Sequence, residues 1–443
     1  MAKEDTLLPA SEAPSRFLAG LSGNRSEPWL RGLARRLALS RLQKIEQGRL
    51  VVLEGDSQLE FGTAEADFPV SARVVIHHGA FWEQLAWGGS VGAGEAYCDG
   101  LWSTPDLTDV VRVLARNRDA MDEFDQGTAR ITAPVRWLLH KLRGNSRAGS
   151  LRNISAHYDT GNEFFSQFLD PTLTYSCAIF PDALSTLETA QQWKLDTICQ
   201  KLELDSNDRL VEIGTGWGSL AIHAARKYGC DVVTTTISEE QFRYASQAVA
   251  DAGLAGKVTV LKQDYRELPA TLVERFDKLV SVEMIEAVGH AYLPRYLEVL
   301  GQLVKPDGLA LIQAILIPDQ RYESYRRSVD FIQHYIFPGG LLPSLGRIQQ
   351  CMMNGTDLRL VDLEDLTPHY ARTLVEWRRR FSANEDKIAA LGLSEAERRK
   401  WKFYFSYCEG GFLERTVAGV QLLLAKPDNR RDSAAAGLLR KPN

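Results

Sequence analysis

A chain of 443 residues with 44% hydrophobic and 25% charged side chains has the composition of a soluble globular protein and the length for two domains. Its net charge of -5 excludes the broad basic surface of a nucleic-acid binder, and no apolar run approaches the roughly 18 residues that cross a bilayer. The start, MAKEDTLLPASEAPSR, lacks the apolar core of a signal peptide, and the six scattered cysteines show no CxxC or CxxH spacing. A cytoplasmic protein with reduced thiols and no metal site is therefore expected.

Residues 1–27 are polar and contain Ser and Pro, so they are expected to be mobile. A helix is predicted from Trp29 to Gln47, where Leu30, Leu33, Leu37, Leu42 and Ile45 alternate with Arg31, Arg35, Arg36, Arg41 and Lys44. Such a basic amphipathic helix either lies on an anionic membrane or packs on its own domain. Short strands follow at Arg49 to Leu53, Gln58 to Gly62 and Ala72 to His77. The glycine-rich run Gly88 to Trp102 lacks the Lys-Ser/Thr of a nucleotide P-loop, and Asp106 to Arg116 reads as a helix. These elements predict a small N-terminal α/β domain over 28–130, then a linker over 131–154.

From residue 155 to 428 helix and strand alternate, as in a doubly wound α/β sheet. Helices are predicted at Thr186 to Leu202, Ser219 to Tyr228, Ser238 to Ala252 and Leu293 to Leu303. Strands are predicted at Arg209 to Ile213, Asp231 to Ile237, Val258 to Leu261, Lys278 to Val282 and Leu309 to Ile317, the last preceded by a turn at Lys305 to Gly308. The tail 429–443 reads as disordered.

The most informative segment is Leu210 to Ala221, a buried strand that runs through Gly214-Thr215-Gly216-Trp217-Gly218 into a helix. Glycines let backbone approach a ligand, and a helix start offers unpaired N–H groups; an ordinary tight βα connection is the bland alternative. A dinucleotide fold requires an acid about 20 residues later, at the end of the second strand. Here that strand ends in Thr235, Thr236 and Ile237, with acids only at Glu239 and Glu240. The third strand ends in Asp264 and Tyr265, which places a carboxylate for an adenine amino group. This pattern suits S-adenosylmethionine better than NAD.

Several further motifs resemble those of the cyclopropane fatty acyl phospholipid synthases and the related mycolic acid methyltransferases. His157-Tyr158-Asp159-Thr160-Gly161-Asn162-Glu163-Phe164-Phe165 resembles HYDxGNxFF, Tyr175 to Ala178 resembles YSCA, and the glycine turn resembles DIGCGWG. Thr236 to Gln241 resembles TISxxQ, Tyr335 to Gly340 resembles YIFPxG, and His369 to Trp377 resembles HYxxTLxxW. The resemblance spans residues 155 to 425 and, less specifically, the N-terminal domain. It implies a Rossmann-like methyltransferase domain in which Tyr175, Ser176, Gly214, Gly216, Gly218, Thr236, Ile237 and Gln241 contact S-adenosylmethionine, joined by Asp264 and Tyr265. It also implies a bicarbonate base held at Cys177, Glu286, Ile315 and Tyr370. Where the family has a histidine this chain has Gln313, which can hydrogen-bond but cannot become cationic. Thr215 and Glu212 are milder departures. Cys408 matches a cysteine proposed as catalytic in the family, but alkene methylation needs no covalent nucleophile, so a pocket role is expected.

An alkene is a weak nucleophile, so methylation by a sulfonium leaves an acyl carbocation that needs a dry pocket and aromatic faces. Phe164, Phe165, Tyr265, Tyr335, Phe337 and Tyr404 are the candidates, each with a plain core role as its alternative. Removing a proton from the added methyl closes a cyclopropane, and Glu286→Gln is expected to abolish turnover while cofactor binding persists. The resemblance thus implies a cyclopropane-forming enzyme acting on unsaturated acyl chains of membrane phospholipids, peripheral on the inner face of the membrane, with a homodimer as one assembly. A methyl-branched or methylene product is the first alternative, motivated by Gln313; a non-catalytic lipid-binding homologue and a small-molecule methyltransferase are weaker ones.

Overall fold

The structure, a computed structural model, describes residues 28–118, 161–273 and 275–430. The expected mobile start, the linker 131–154, His157 to Thr160 and residues 431–443 of the tail lie outside them. The N-terminal layer contains α1 (Pro28–Leu42), β1 (Arg49–Glu54), β2 (Ser57–Phe61), β3 (Ser71–Ile76), α2 (Ala80–Cys98), β4 (Trp102–Ser103) and α3 (Leu107–Arg116). Its sheet runs β2-β1-β3-β4, with β1 parallel to β3 and the other pairs antiparallel. On β3 the alternation places Ala72, Val74 and Ile76 inside. Asp106 starts α3 by accepting from the N–H groups of Thr108 and Asp109.

Two local expectations change here. The run from Gly88 is mostly helix, because α2 continues through it with a kink at Gly89 (φ 60°). Small residues let this helix pack tightly: a Cβ on Gly92 would fall 2.0 Å from the Gln84 carbonyl oxygen, and one on Gly94 2.5 Å from the Phe331 ring. Helix α1 ends at Leu42 and turns several of its groups inward. Ala34 and Ala38 are fully buried, Arg31 pairs with Glu83, and Arg35 pairs with Glu54 and lies over Trp82.

The larger layer is built on a seven-stranded sheet. Its elements are α4 (Leu187–Lys201), β5 (Arg209–Ile213), α5 (Ser219–Tyr228), β6 (Asp231–Thr236), α6 (Glu239–Asp251), β7 (Val258–Lys262), β8 (Phe276–Val282), α7 (Leu293–Leu303) and β9 (Val304–Leu316). They are followed by α8 (Leu345–Gly355), β10 (Arg359–Asp365), α9 (Thr367–Ala383), α10 (Glu395–Leu413) and β11 (Ala418–Ala425). The strand order is β10-β11-β9-β8-β5-β6-β7, parallel from β9 to β7 and antiparallel at β11 and β10. The expected turn at Lys305 to Gly308 is a bulge inside β9, because Val304 pairs with Phe276 and Leu309 with Lys278. Gly308 suits it, since a Cβ there would meet the Asp277 carbonyl oxygen at 2.6 Å.

Strand order reverses between β5 and β8, so the crevice of the doubly wound sheet lies beyond their carboxyl ends, at Gly214 and Glu283. Helix α10 packs against α9 on one side and α2 and α3 on the other. Glu414, with its side chain 2% exposed, binds Arg112 and Arg116 of α3, and Arg399 donates to the Tyr97 and Trp102 carbonyls. A removed partner here would strand a buried charge, so the N-terminal layer is docked, not merely tethered.

Candidate active site

The turn after β5 has positive φ at Gly214 (101°), Gly216 (53°) and Gly218 (91°), a path that any L side chain would strain. It is pinned by Gly214 and Thr215 N–H groups donating to the Thr235 carbonyl at 3.1 and 3.0 Å. Above Gly216 lies open space, where a Cβ would meet nothing within 4 Å. Beneath it, Thr234 donates to Glu212 (2.6 Å) and shares a hydrogen bond with Thr215 (2.8 Å), which accounts for both departures in this motif. Burial raises the Glu212 carboxyl to about 8, so it is neutral at pH 7 and Thr234 holds it without a buried charge.

Beyond β6 the Thr236 hydroxyl donates to Gln241 Oε1 (2.8 Å), leaving the amide NH2 for a ligand hydroxyl. Ile237 lines the same space, as do Asp264 and Tyr265. Asp264 is also held by Arg266 at 2.8 and 2.5 Å, a partner the sequence pattern did not single out. The residues therefore fit S-adenosylmethionine: a glycine cradle, an amide where a dinucleotide fold keeps its acid, and a carboxylate beyond the third strand.

The His369 to Trp377 string on α9 has a structural explanation, because this helix clamps the Tyr175 to Ala178 segment. Thr373 Oγ1 accepts from the Ala178 N–H, His369 Nδ1 accepts from the Phe180 N–H, and Arg372 donates to the Asp182, Ala183 and Ser185 carbonyls. From the other side Gln191 donates to the Ser176 carbonyl, and the buried Lys194 ammonium donates to Ser176 Oγ at 2.9 Å. Lys194 was not predicted as a site residue. Burial lowers its pKa, and the Glu283 charge opposes that.

The largest addition to the predicted site is Glu283. It follows β8 at φ 50°, a left-handed conformation that costs a non-glycine residue roughly 1–2 kcal/mol. Three donors converge on it: the Cys177 N–H (2.8 Å) and Gln313 Nε2 (2.8 Å) on Oε1, and the Tyr370 hydroxyl (2.6 Å) on Oε2. Gln313 on β9 faces Gln421 on β11, whose amide donates to Gln313 Oε1 at 3.0 Å. Gln421 Oε1 in turn accepts from Lys201 (2.8 Å). A lysine can only donate, so this chain fixes both amides and commits the Gln313 NH2 to Glu283. The second carboxylate, Glu286, accepts from the Ile315 N–H at 2.6 Å, and its Oε2 is buried without a hydrogen-bond partner. Burial, then the Glu283 charge, raises Glu286 to about 8; burial also raises Glu283, against the three donors. Both residues are half-buried and line the cavity.

Cys177, Gln313 and Tyr370 thus meet at Glu283, and Ile315 at Glu286, but these residues do not fit a bicarbonate ion. The donors of Cys177, Gln313 and Tyr370 are engaged with Glu283, and that of Ile315 with Glu286. Cys177 contributes its backbone: the thiol is buried against the Ala178 carbonyl and its pKa is pushed well up by burial. Cys408 also lines the cavity, and burial raises its thiol pKa with the Asp330 charge adding to it, the opposite of an activated nucleophile.

A cavity of about 1090 Å³ joins the glycine turn and the two carboxylates to the apolar interior of the N-terminal layer. Tyr265, Phe337 and Tyr404 line it, as do Trp377, Tyr370 and Phe412. Phe164, Phe165 and Tyr335 do not. The two phenylalanines are fully buried in an aromatic cluster with Phe168 and Trp401, and the Tyr335 hydroxyl is bound to Glu95. A side chain enclosed on all sides by its own protein has no face to offer a ligand.

A doubly wound sheet with this glycine turn and a second strand that carries no acid at its carboxyl end defines an S-adenosylmethionine-dependent methyltransferase. The family model for mycolic acid cyclopropane synthetase matches residues 145–422. A tuberculostearic acid methyltransferase from Mycobacterium tuberculosis is 40% identical over 375 residues, 82% of this chain and 84% of the relative. The cyclopropane-fatty-acyl-phospholipid synthase of Escherichia coli is 35% identical over 370 residues, 82% of this chain and 89% of its own. A mycolic acid cyclopropane synthase solved with S-adenosylhomocysteine and CTAB superposes with a TM-score of 0.57 at 31% identity, covering 62% of this chain and 98% of that one. The chain belongs to the mycolic acid cyclopropane synthetase family and is an S-adenosylmethionine-dependent C-methyltransferase.

Proposed function

We propose that this protein methylates the double bond of an unsaturated phospholipid acyl chain and then takes a proton from the carbon it has added. The observation that carries this reading is the cavity: one largely apolar space connects the glycine turn to a pair of buried carboxylates. S-adenosylmethionine, when bound, supplies an electrophilic methyl group on a sulfonium. The chain's own residues supply the rest. The apolar walls exclude the water that would capture a carbocation, Tyr404, Phe337 and Trp377 present aromatic faces to it, and a carboxylate accepts the proton. Loss of that proton closes a cyclopropane.

A second ending is favoured by Gln313, which stands where the resemblance implies a histidine and donates to Glu283, and by similarity to a relative named for tuberculostearic acid. If hydride migrates to the first cationic carbon before deprotonation, the more substituted cation loses a proton from the same methyl and leaves a methylene branch (C=CH2) on the chain. The test is incubation with monounsaturated phosphatidylethanolamine vesicles and S-adenosylmethionine, followed by gas chromatography with mass spectrometry and proton NMR of the fatty esters. Either product is heavier by one CH2; ring protons identify the cyclopropane and vinylidene protons the methylene. Absence of any heavier ester overturns the reading.

Among the described residues no helix is long and apolar enough to cross a membrane. Exposed Trp29 and Leu33 share a face of α1 with Arg36, which supports peripheral contact with an anionic bilayer. Flotation with anionic vesicles should weaken in a Trp29→Ala, Leu33→Ser variant; unchanged flotation removes α1 from that role.

A further inference from the structure

We propose that Glu283 replaces bicarbonate in this protein, its side-chain carboxylate being the built-in acceptor of the proton lost from the newly added methyl group. The inference rests on the alkene-methylation reading above and concerns its base. Three groups that the resemblance assigns to an external anion, at Cys177, Gln313 and Tyr370, all donate to this one side chain. An anion of bicarbonate size has no free donors left among them. The substitution at 313 then has a reason: a carboxylate accepts only, and an amide whose oxygen is engaged by Gln421 is fixed as a donor toward it. The left-handed backbone at Glu283 points the same way, because a strained conformation at a cavity-lining carboxylate is maintained by the contacts it makes. Burial raises the carboxyls of both Glu283 and Glu286, but three donors directed at Glu283 favour its carboxylate form, against the single Ile315 N–H at Glu286.

The step balances without another reactant. The alkene π pair forms the new C–C bond as the sulfonium S–C bond breaks, releasing neutral S-adenosylhomocysteine and leaving the positive charge on the acyl chain. A C–H bond of the added methyl then breaks. Its electron pair forms the ring bond, or the methylene double bond after hydride migration, and the proton goes to the Glu283 carboxylate, which becomes a carboxylic acid and is later returned to solvent.

Two measurements test this. Release of S-adenosylhomocysteine is followed with unsaturated phospholipid vesicles in buffer stripped of carbon dioxide, with and without added bicarbonate. Binding of ¹³C-bicarbonate to the protein saturated with S-adenosylhomocysteine is followed by NMR line broadening, which requires no turnover. The wild type should turn over equally in both buffers and show no broadening. Glu283→Gln should bind S-adenosylhomocysteine normally and lose at least about a hundredfold in turnover. Glu283→Gly, which relaxes the backbone and empties the place, should broaden the bicarbonate signal and regain turnover when bicarbonate is added. Bicarbonate dependence or bicarbonate binding in the wild type, or wild-type turnover in Glu283→Gln, would overturn the proposal. If the wild type methylates no unsaturated lipid, the functional reading fails, while the NMR result still decides whether Glu283 excludes the anion.

Discussion

Tyr370→Phe isolates the strongest contact to the proposed base. It deletes the hydroxyl that donates to Glu283 Oε2 at 2.6 Å and keeps the ring, which stacks on Phe412 with centroids 4.2 Å apart and planes 16° from parallel. A hydrogen bond to a charged group contributes about 1.5–3 kcal/mol, so the ionised form of Glu283 is disfavoured by roughly tenfold to a hundredfold. The sign follows from what the bond holds: it stabilises the carboxylate, so its loss raises the pH at which Glu283 ionises. The acid limb of the pH–turnover profile should move up by about one to two pH units. On the acid side of that limb turnover should fall by about the same tenfold to hundredfold and recover as the pH is raised. Affinity for S-adenosylhomocysteine should be unchanged, because the hydroxyl acts on Glu283 and not on the glycine turn. The assay is S-adenosylhomocysteine release from unsaturated vesicles at a series of pH values, with calorimetric titration of the product nucleoside as the control. Combined with Glu283→Gln, the loss should be far from additive, since both changes break one interaction. An unshifted acid limb, or additive losses, would refute the argument.

Three further outcomes follow from the same geometry. Glu286→Gln retains a neutral side chain where burial already favours the neutral form, so at pH 7 its turnover should fall less than that of Glu283→Gln; equal losses would return the base to Glu286. Gly216→Ala places a Cβ at φ 53° into the open space over the turn, which should cost about 1 kcal/mol of stability and at least roughly tenfold in S-adenosylhomocysteine affinity. An unchanged dissociation constant would remove that space from the cofactor site. Glu212 ionises at about 8 when folded against a reference of 4.5, so the folded protein binds the proton more tightly. Its stabilising contribution is complete below 4.5 and is lost as pH rises toward 8, by about 5 kcal/mol. Thermal unfolding should show a steeper fall of Tm from about pH 5 to 8 in the wild type than in Glu212→Gln; parallel curves would contradict the burial argument.

The sheet and its glycine turn were legible because they are local. Alternating apolar runs bounded by turn residues predicted β5 at Arg209–Ile213 and α5 at Ser219–Tyr228 with their observed ends. Thr186, Ser238 and Asp106 act as helix caps where the pattern began each helix. Gly214, Gly216, Gln241, Tyr370 and Glu286 were reached through spacing and resemblance, and all line the cavity. The run after Gly88 was not read as helix, because glycine signals flexibility locally and only the close approach of Gln84 and Phe331 explains its use. Phe164 and Phe165 were open to either reading, since burial against Phe168 and Trp401 depends on a helix more than 200 residues away in the chain.

The hydrogen-bond partners of the two carboxylates were of this second kind. The sequence presents Glu283 and Glu286 three residues apart after one strand, and spacing alone cannot rank them. Which carboxylate meets the Cys177 amide and the Tyr370 hydroxyl, 106 and 87 residues distant, depends on the strand order and on the left-handed turn at Glu283. The orientation of Gln313 depends likewise on the β9–β11 register that sets it opposite Gln421. Short-range order follows from the conformational preferences of neighbouring residues, whereas the hydrogen-bond partners of a buried side chain exist only once distant strands have been brought into register.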